Sequence, residues 1–166
     1  VQDGAFRVGL PAGEVRARRV VVAVGGQSYP GCGTSGDGYG LARQFGLSVV
    51  EPRPALVPLR VAADWVPALK GLTVPDARAS ILDPAGRRLI ERREAILFAH
   101  FGLTGPAILD VSRAVARYAG AGRLELSLDF VPDLRPETVD GQTQAASRTG
   151  RRPVSTIVPV HLPRRL

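Results

Sequence analysis

At 166 residues, 45% of them hydrophobic, the chain can bury one ordinary core, and no run approaches the roughly 20 apolar residues of a membrane span. No membrane partner and no leader are expected, and the cytoplasm is the expected setting. The 22 basic residues outnumber 15 acidic ones for a net charge of +7, yet Lys70 is the sole lysine, the arginine pairs are scattered and 5% of residues are aromatic, which together argue against a nucleic-acid partner.

In chain order, Phe6 to Val8, a turn through Pro11 to Gly13, and Val15 to Ala17 read as a small antiparallel ribbon. Val20 to Val24 then read as a buried parallel strand ending in Gly25 and Gly26. The loop that follows holds Gly31, Gly33, Gly36 and Gly38, which let a ligand approach the main chain. Asp37 reads as the N-cap of a short helix with Leu41, Ala42 and Phe45 on one face and Gly46 as terminator. Strand, glycine loop and helix suit a nucleotide bound beyond the end of a strand. A carboxylate at a helix start would repel phosphate, so Asp37 suits a ribose hydroxyl or a ring N–H; equally, it could only cap its own helix. Cys32, the single cysteine, excludes an internal disulfide and has no adjacent base to activate it.

From Pro52 the texture changes. PRPALVPLRV, with Pro58 inside an apolar run, reads as an edge strand or a crossing between domains. Ala77 to Leu82, a turn at Asp83 to Gly86, and Arg87 to Ile90 read as a hairpin, with further strands at Ala95 to Phe98 and Leu124 to Phe130. Short strands and Gly/Pro turns favour a small barrel. In FAHFGLTGP, Thr104 or Gly105 would cap a helix with Pro106 in its first turn and Ile108, Val111, Val115 and Tyr118 on its inner face. His100 could shuttle a proton or merely pack. Asp133 to Glu137 is a helix-start pattern, and the polar run after it is expected to be mobile or loosely helical. His161 has no visible partner, and no ligand spacing suggests a metal.

Taken together, AVGGQSYPGCGTSGDGYGLARQFG, RPALVPLRV, LKGLTV, ILFAHFGLTGPAILDVSR and LPRRL resemble a bacterial family of FAD-dependent flavoproteins with an inserted barrel domain. Its members are described as NAD(P)/FAD-dependent oxidoreductases, aminoacetone oxidase and a bile-acid dehydro-steroid reductase. A more distant resemblance is to the fumarate reductase flavoproteins, whose TGG turn and TGDG loop touch FAD. The resemblance implies an α/β FAD-binding, Rossmann-like domain fragment at 1–51, an inserted small β-barrel at 52–131, and the start of a helical subdomain at 132–166. It also implies that Gly25, Gly26, Thr34, Ser35, Gly36 and Asp37 bind FAD, while His100, Thr104 and Gly105 stand on the substrate side. Val24 stands where the family has threonine or serine, which leaves the main-chain contacts of Gly25 and Gly26, and Ala99 stands where it has threonine, so that hydroxyl is absent.

The chain holds no methionine, even at position 1, and so reads as the middle of a longer protein, or as one whose start codon is written as valine. The expected parent is an FAD-dependent oxidoreductase that passes a hydride or electron pair between a small organic substrate and NAD(P)H or oxygen. The alternatives are a basic, non-catalytic binding module and an inactive remnant.

Overall fold

The computed structural model describes residues 4–135, 137–141 and 144, and the chain divides into two compact units, Val1–Pro52 and Arg53–Leu166. In the first unit β1 (Phe6–Leu10) pairs antiparallel with β2 (Gly13–Ala17), Phe6 opposite Ala17 and Leu10 opposite Gly13. Arg7 grips the Glu14 carboxylate through two bonds of 2.7 and 2.6 Å across this expected ribbon.

The buried parallel strand expected at Val20 to Val24 does not form. Those residues run as irregular chain, with Val21 87% exposed. A parallel strand needs paired neighbours and cover on both faces; among the described residues of this unit the sole ladder joins β1 to β2. A Rossmann-like sheet is therefore absent from the described fold, and none of residues 4–52 is buried.

Helix α1 (Asp37–Gln44) does form, but its N-cap is Gly36, held in the left-handed region at φ 88°, and Asp37 is its first helical residue. The Asp37 carboxylate does not cap because it is taken by the Ser35 hydroxyl, 2.8 Å away. Gly46 ends the helix as expected: at φ 73° its N–H donates to the Arg43 carbonyl while Leu47 donates to that of Ala42.

The second unit carries every buried apolar side chain among the described residues. Its elements are α2 (Trp65–Ala68), β3 (Thr73–Leu82), β4 (Arg88–Ala99), β5 (Gly102–Thr104), α3 (Pro106–Arg117) and β6 (Glu125–Asp129). The sheet runs β5-β4-β3-β6, antiparallel throughout, and curls as a half-barrel, the barrel part of the expected fold. Alternation puts Ala77, Ala79 and Ile81 of β3 on one face, where they join Phe98 of β4 and Ile108 and Val111 of α3 in the core. The two strands expected at Arg87 to Ile90 and Ala95 to Phe98 are the ends of β4, which runs unbroken for 12 residues. It can do so because β3 absorbs Pro75, which has no N–H, in a register shift between Val74 and Ala77.

The hairpin turn is built around Asp83, whose Oδ1 accepts from the amides of Ala85 (3.0 Å) and Arg87 (2.9 Å). The Arg87 amide above all holds the Asp83 carboxyl below its ordinary value, outweighing the opposite effect of burial.

Helix α3 is rolled relative to the expected face. Ala107, Ile108, Val111 and Ser112 are buried, Val115 is 37% exposed, and Tyr118 lies beyond the last turn with extended backbone. The roll lets Ser112 tie down the proline-rich crossing: its hydroxyl donates to the Leu109 carbonyl at 2.7 Å and accepts the Val57 N–H at 3.2 Å. We expect Ser112→Ala, which orphans that amide, to cost about 1–3 kcal/mol. Urea unfolding should show a lower midpoint at unchanged slope; an unshifted midpoint would mean that the tie contributes nothing. The crossing itself is not a strand, since it meets β5 only where Leu59 and Leu103 exchange two bonds of 2.9 Å.

Residues 137–141 are helical, in keeping with the helix-start pattern before them. LPRRL and His161 lie outside the described residues.

Candidate functional site

In the first unit the Gly25-Gly26 turn and the Thr34-to-Asp37 loop clasp one another: the Gly36 N–H donates to the Gly26 carbonyl at 3.0 Å. The approach is close enough to require glycine. A Cβ on Gly36 would stand 2.9 Å from Gln27 Oε1, and one on Gly25, at φ 72°, 3.0 Å from Thr34 Cγ2. Six expected cofactor residues thus share one loop cluster, but their available groups differ. The Thr34 hydroxyl donates to the Tyr29 carbonyl (2.8 Å) and accepts the Tyr29 N–H (3.2 Å), so it closes the loop on itself. Ser35 is spent on Asp37, and the Gly36 amide on Gly26. The amides of Gly25, Gly26 and Asp37 have no partner among the described residues, and the exposed Asp37 carboxylate keeps accepting capacity. The cluster thus offers main-chain donors beside one carboxylate that can accept from a ribose hydroxyl or a ring N–H.

The three substrate-side candidates lie at one end of the half-barrel in the second unit. His100 and Phe101 form the tight turn between β4 and β5, with Ala99 paired to Gly102; His100 is exposed and meets the Phe101 ring edge-on at 5.0 Å. Thr104 ends β5 opposite Leu97. Gly105 is the N-cap of α3 at φ 96°, and Pro106 follows in the first turn. A Cβ on Gly105 would stand 2.8 Å from the Ala95 carbonyl oxygen, so packing of α3 against β4 accounts for this glycine without a ligand.

Two polar clusters were missed in sequence reading because their members are distant in the chain. On the outer sheet face, Arg88 and Ser80 bond to Glu91, and Arg78 lies 3.7 Å from Glu91 and 3.6 Å from Asp129. Burial pushes the Glu91 carboxyl up, but the bonds from Arg88 and Ser80 outweigh it and hold the group below its ordinary value. Beside them Arg93 spans Asp76 and Asp133 at 2.7 Å each. On this face three arginines meet four carboxylates. The second cluster is a cleft of about 210 Å³ lined by Ala55, Leu56, Arg92, Asp110 and Arg113, in which Arg92 Nε lies 3.3 Å from Asp110. The spacing of Asp110, Arg113 and Arg117 along one helical face was the available signal.

Among the described residues no helix is long and apolar enough to cross a membrane, and no group of three or more His, Cys, Asp or Glu could hold a metal.

Comparison with known proteins adds what geometry leaves open. The chain is 34% identical over 164 residues to the ribosomal RNA dihydrouridine synthase of Escherichia coli K12, covering 97% of this chain and 38% of that protein. It is 36% identical over 99 residues to the enzyme of the same name from Haemophilus influenzae, covering 58% of this chain and 23% of that protein. It is also 29% identical over 125 residues to the 3-dehydro-bile acid delta(4,6)-reductase of Clostridium scindens, covering 74% and 30%. The chain thus spans well under half the length of each. The two RNA enzymes overturn the expectation that nucleic acid is an unlikely partner. Scatter along a sequence is not scatter in space: Arg92 and Arg113 line one cleft. The family model for the HI0933-like protein barrel and H2TH domain matches residues 53–166, and the chain belongs to that family.

Proposed function

We propose that this chain is part of a flavin-dependent reductase that saturates a carbon–carbon double bond conjugated to a carbonyl, with uridine of ribosomal RNA as its substrate. The observation that carries this reading is the match along nearly the whole chain to a ribosomal RNA dihydrouridine synthase. The names of the relatives share one chemistry. Dihydrouridine is uridine with two hydrogens added to its ring double bond, and a delta(4,6)-reductase of a 3-dehydro bile acid also reduces double bonds conjugated to an oxo group.

FAD, when bound, supplies the hydride, and NAD(P)H restores it. The amides of Gly25, Gly26 and Asp37 and the Asp37 carboxylate would hold its nucleotide half. Thr34, Ser35 and Gly36 would act by shaping that loop, since their polar groups serve it internally. On the substrate side a proton must reach the carbon next to the carbonyl. His100, exposed in its turn, is the candidate to deliver that proton, and Thr104 and Gly105 at the end of β5 are the further substrate-side candidates.

The test incubates the whole protein and NAD(P)H with ribosomal RNA from cells lacking it, and follows uridine by nucleoside mass spectrometry. Uridine should gain two hydrogen atoms. Unaltered RNA together with turnover of a 3-oxo steroid dienone would instead favour a small-molecule reductase, as the Clostridium relative suggests.

A further inference from the structure

The arginines of the second unit fall into two kinds. Those on the outer sheet face, Arg78, Arg88 and Arg93, each sit against carboxylates. Those along the outer side of α3 do not. Arg113 and Arg117 are exposed, stand one helical turn apart, and have no carboxylate partner among the described residues. Like charges at this spacing disfavour the helix, although Arg117 in the last turn is favoured by the helix dipole. Asp110, the one acid on this side of the helix, is already engaged by Arg92, which enters from β4. Arg53 completes the group: its guanidinium donates to the Ala116 carbonyl at 3.1 Å, next to Arg117.

The surface is shaped as well as charged. Arg92, Asp110 and Arg113 line a cleft together with the apolar Ala55 and Leu56. Leu56 stands there at φ 55°, the sole residue other than glycine with positive φ among the described residues. A branched side chain held in that region is strained. Four guanidinium groups with a single carboxylate, Asp110, engaged by one of them suit a chain of phosphodiesters, which carries one negative charge per unit.

We propose that the outer side of α3, formed by Arg113 and Arg117 with Arg53 and Arg92 beside them, is the surface that grips the phosphate backbone of the RNA substrate. The assignment rests on the reading of the protein as an enzyme acting on RNA. It adds where RNA is held, and by groups that read charge rather than base sequence.

The experiment measures binding of deproteinised ribosomal RNA to the whole protein across a salt series, for the unaltered protein, Arg113→Gln/Arg117→Gln and Arg113→Lys/Arg117→Lys. The glutamine pair should bind at least about tenfold more weakly, and its plot of log affinity against log salt should be shallower by about 1 to 2, one unit or slightly less for each lost phosphate contact. The lysine pair, which keeps both charges, should recover the original slope. A thermal unfolding midpoint shared by all three would exclude damage to α3 as the cause. If the unaltered protein binds RNA with a steep salt dependence and the glutamine pair does the same, this surface is not the grip, although the RNA reading stands. If the unaltered protein shows no salt-dependent binding, the RNA reading and this assignment fall together.

Discussion

Replacing Gly102 by alanine should be among the most damaging single-methyl changes in the chain. Gly102 sits at φ 151°, where an added Cβ would stand 2.1 Å from the Leu59 carbonyl oxygen and 3.0 Å from Arg60 Cα. Neither atom belongs to a side chain that can swing aside. Relief requires moving the crossing away from β5, which breaks the two 2.9 Å bonds exchanged by Leu59 and Leu103, the one bridge between them. Leu103 is buried in the core, so the damage would not stay at the edge. We expect a loss of about 4 kcal/mol or more, in the range reserved for clashes and broken cores. Gly71 provides the comparison. It too has positive φ, at 83°, but nothing lies within 4 Å of its missing Cβ. Gly71→Ala should therefore cost only the backbone penalty of about 1–2 kcal/mol. Denaturant unfolding of both variants decides the matter: equal losses would show that the crossing yields freely and that the contact with Leu59 is soft.

Asp37→Ala should release the cofactor without unfolding the chain. If the Asp37 carboxylate accepts a hydrogen bond from FAD, its removal takes away a bond to a charged group, worth about 1.5–3 kcal/mol, or between about tenfold and hundredfold in affinity. Flavin titration of the cofactor-stripped whole protein, read by fluorescence, measures this. Asp37→Asn keeps an acceptor oxygen and should lose less. The carboxylate also favours the start of α1 electrostatically, by about 0.3–1 kcal/mol, so thermal unfolding must be read beside the titration. Flavin retained undiminished by the alanine variant after dialysis would remove Asp37 from the site and leave it the bond from Ser35 and the start of α1.

Much of the local structure could be read from neighbouring residues. Gly46 ends α1 because a left-handed residue there closes the last carbonyls, and Asp83 to Gly86 turn because a short carboxylate can reach the amides just ahead of it. Leu126 and Leu128 point one way along β6, and Ser127 the other, because strand side chains alternate. The glycines of the two loop clusters could be recognised as demanded, but not by what. For Gly105 it is the carbonyl of Ala95, ten residues earlier.

Where packing decided, neighbouring residues were silent. Val20 to Val24 have the composition of a central strand, yet a strand exists only where another pairs with it, and the described residues of that unit place none there. Helix α3 could have turned Val115 inward on hydrophobic spacing; it turned Ser112 inward instead, because that hydroxyl satisfies the Val57 amide from a crossing far away in the chain. Arg92 and Asp110 are ordinary charged residues until β4 and α3 bring them to 3.3 Å, leaving Arg113 and Arg117 without an acid among the described residues. Composition and short-range spacing settle turns, helix ends such as Gly46 and alternation, since these depend on backbone geometry over a few residues. Which face is buried, which strand is paired and which charges remain unbalanced depend on contacts between distant residues, and only the folded chain supplies them.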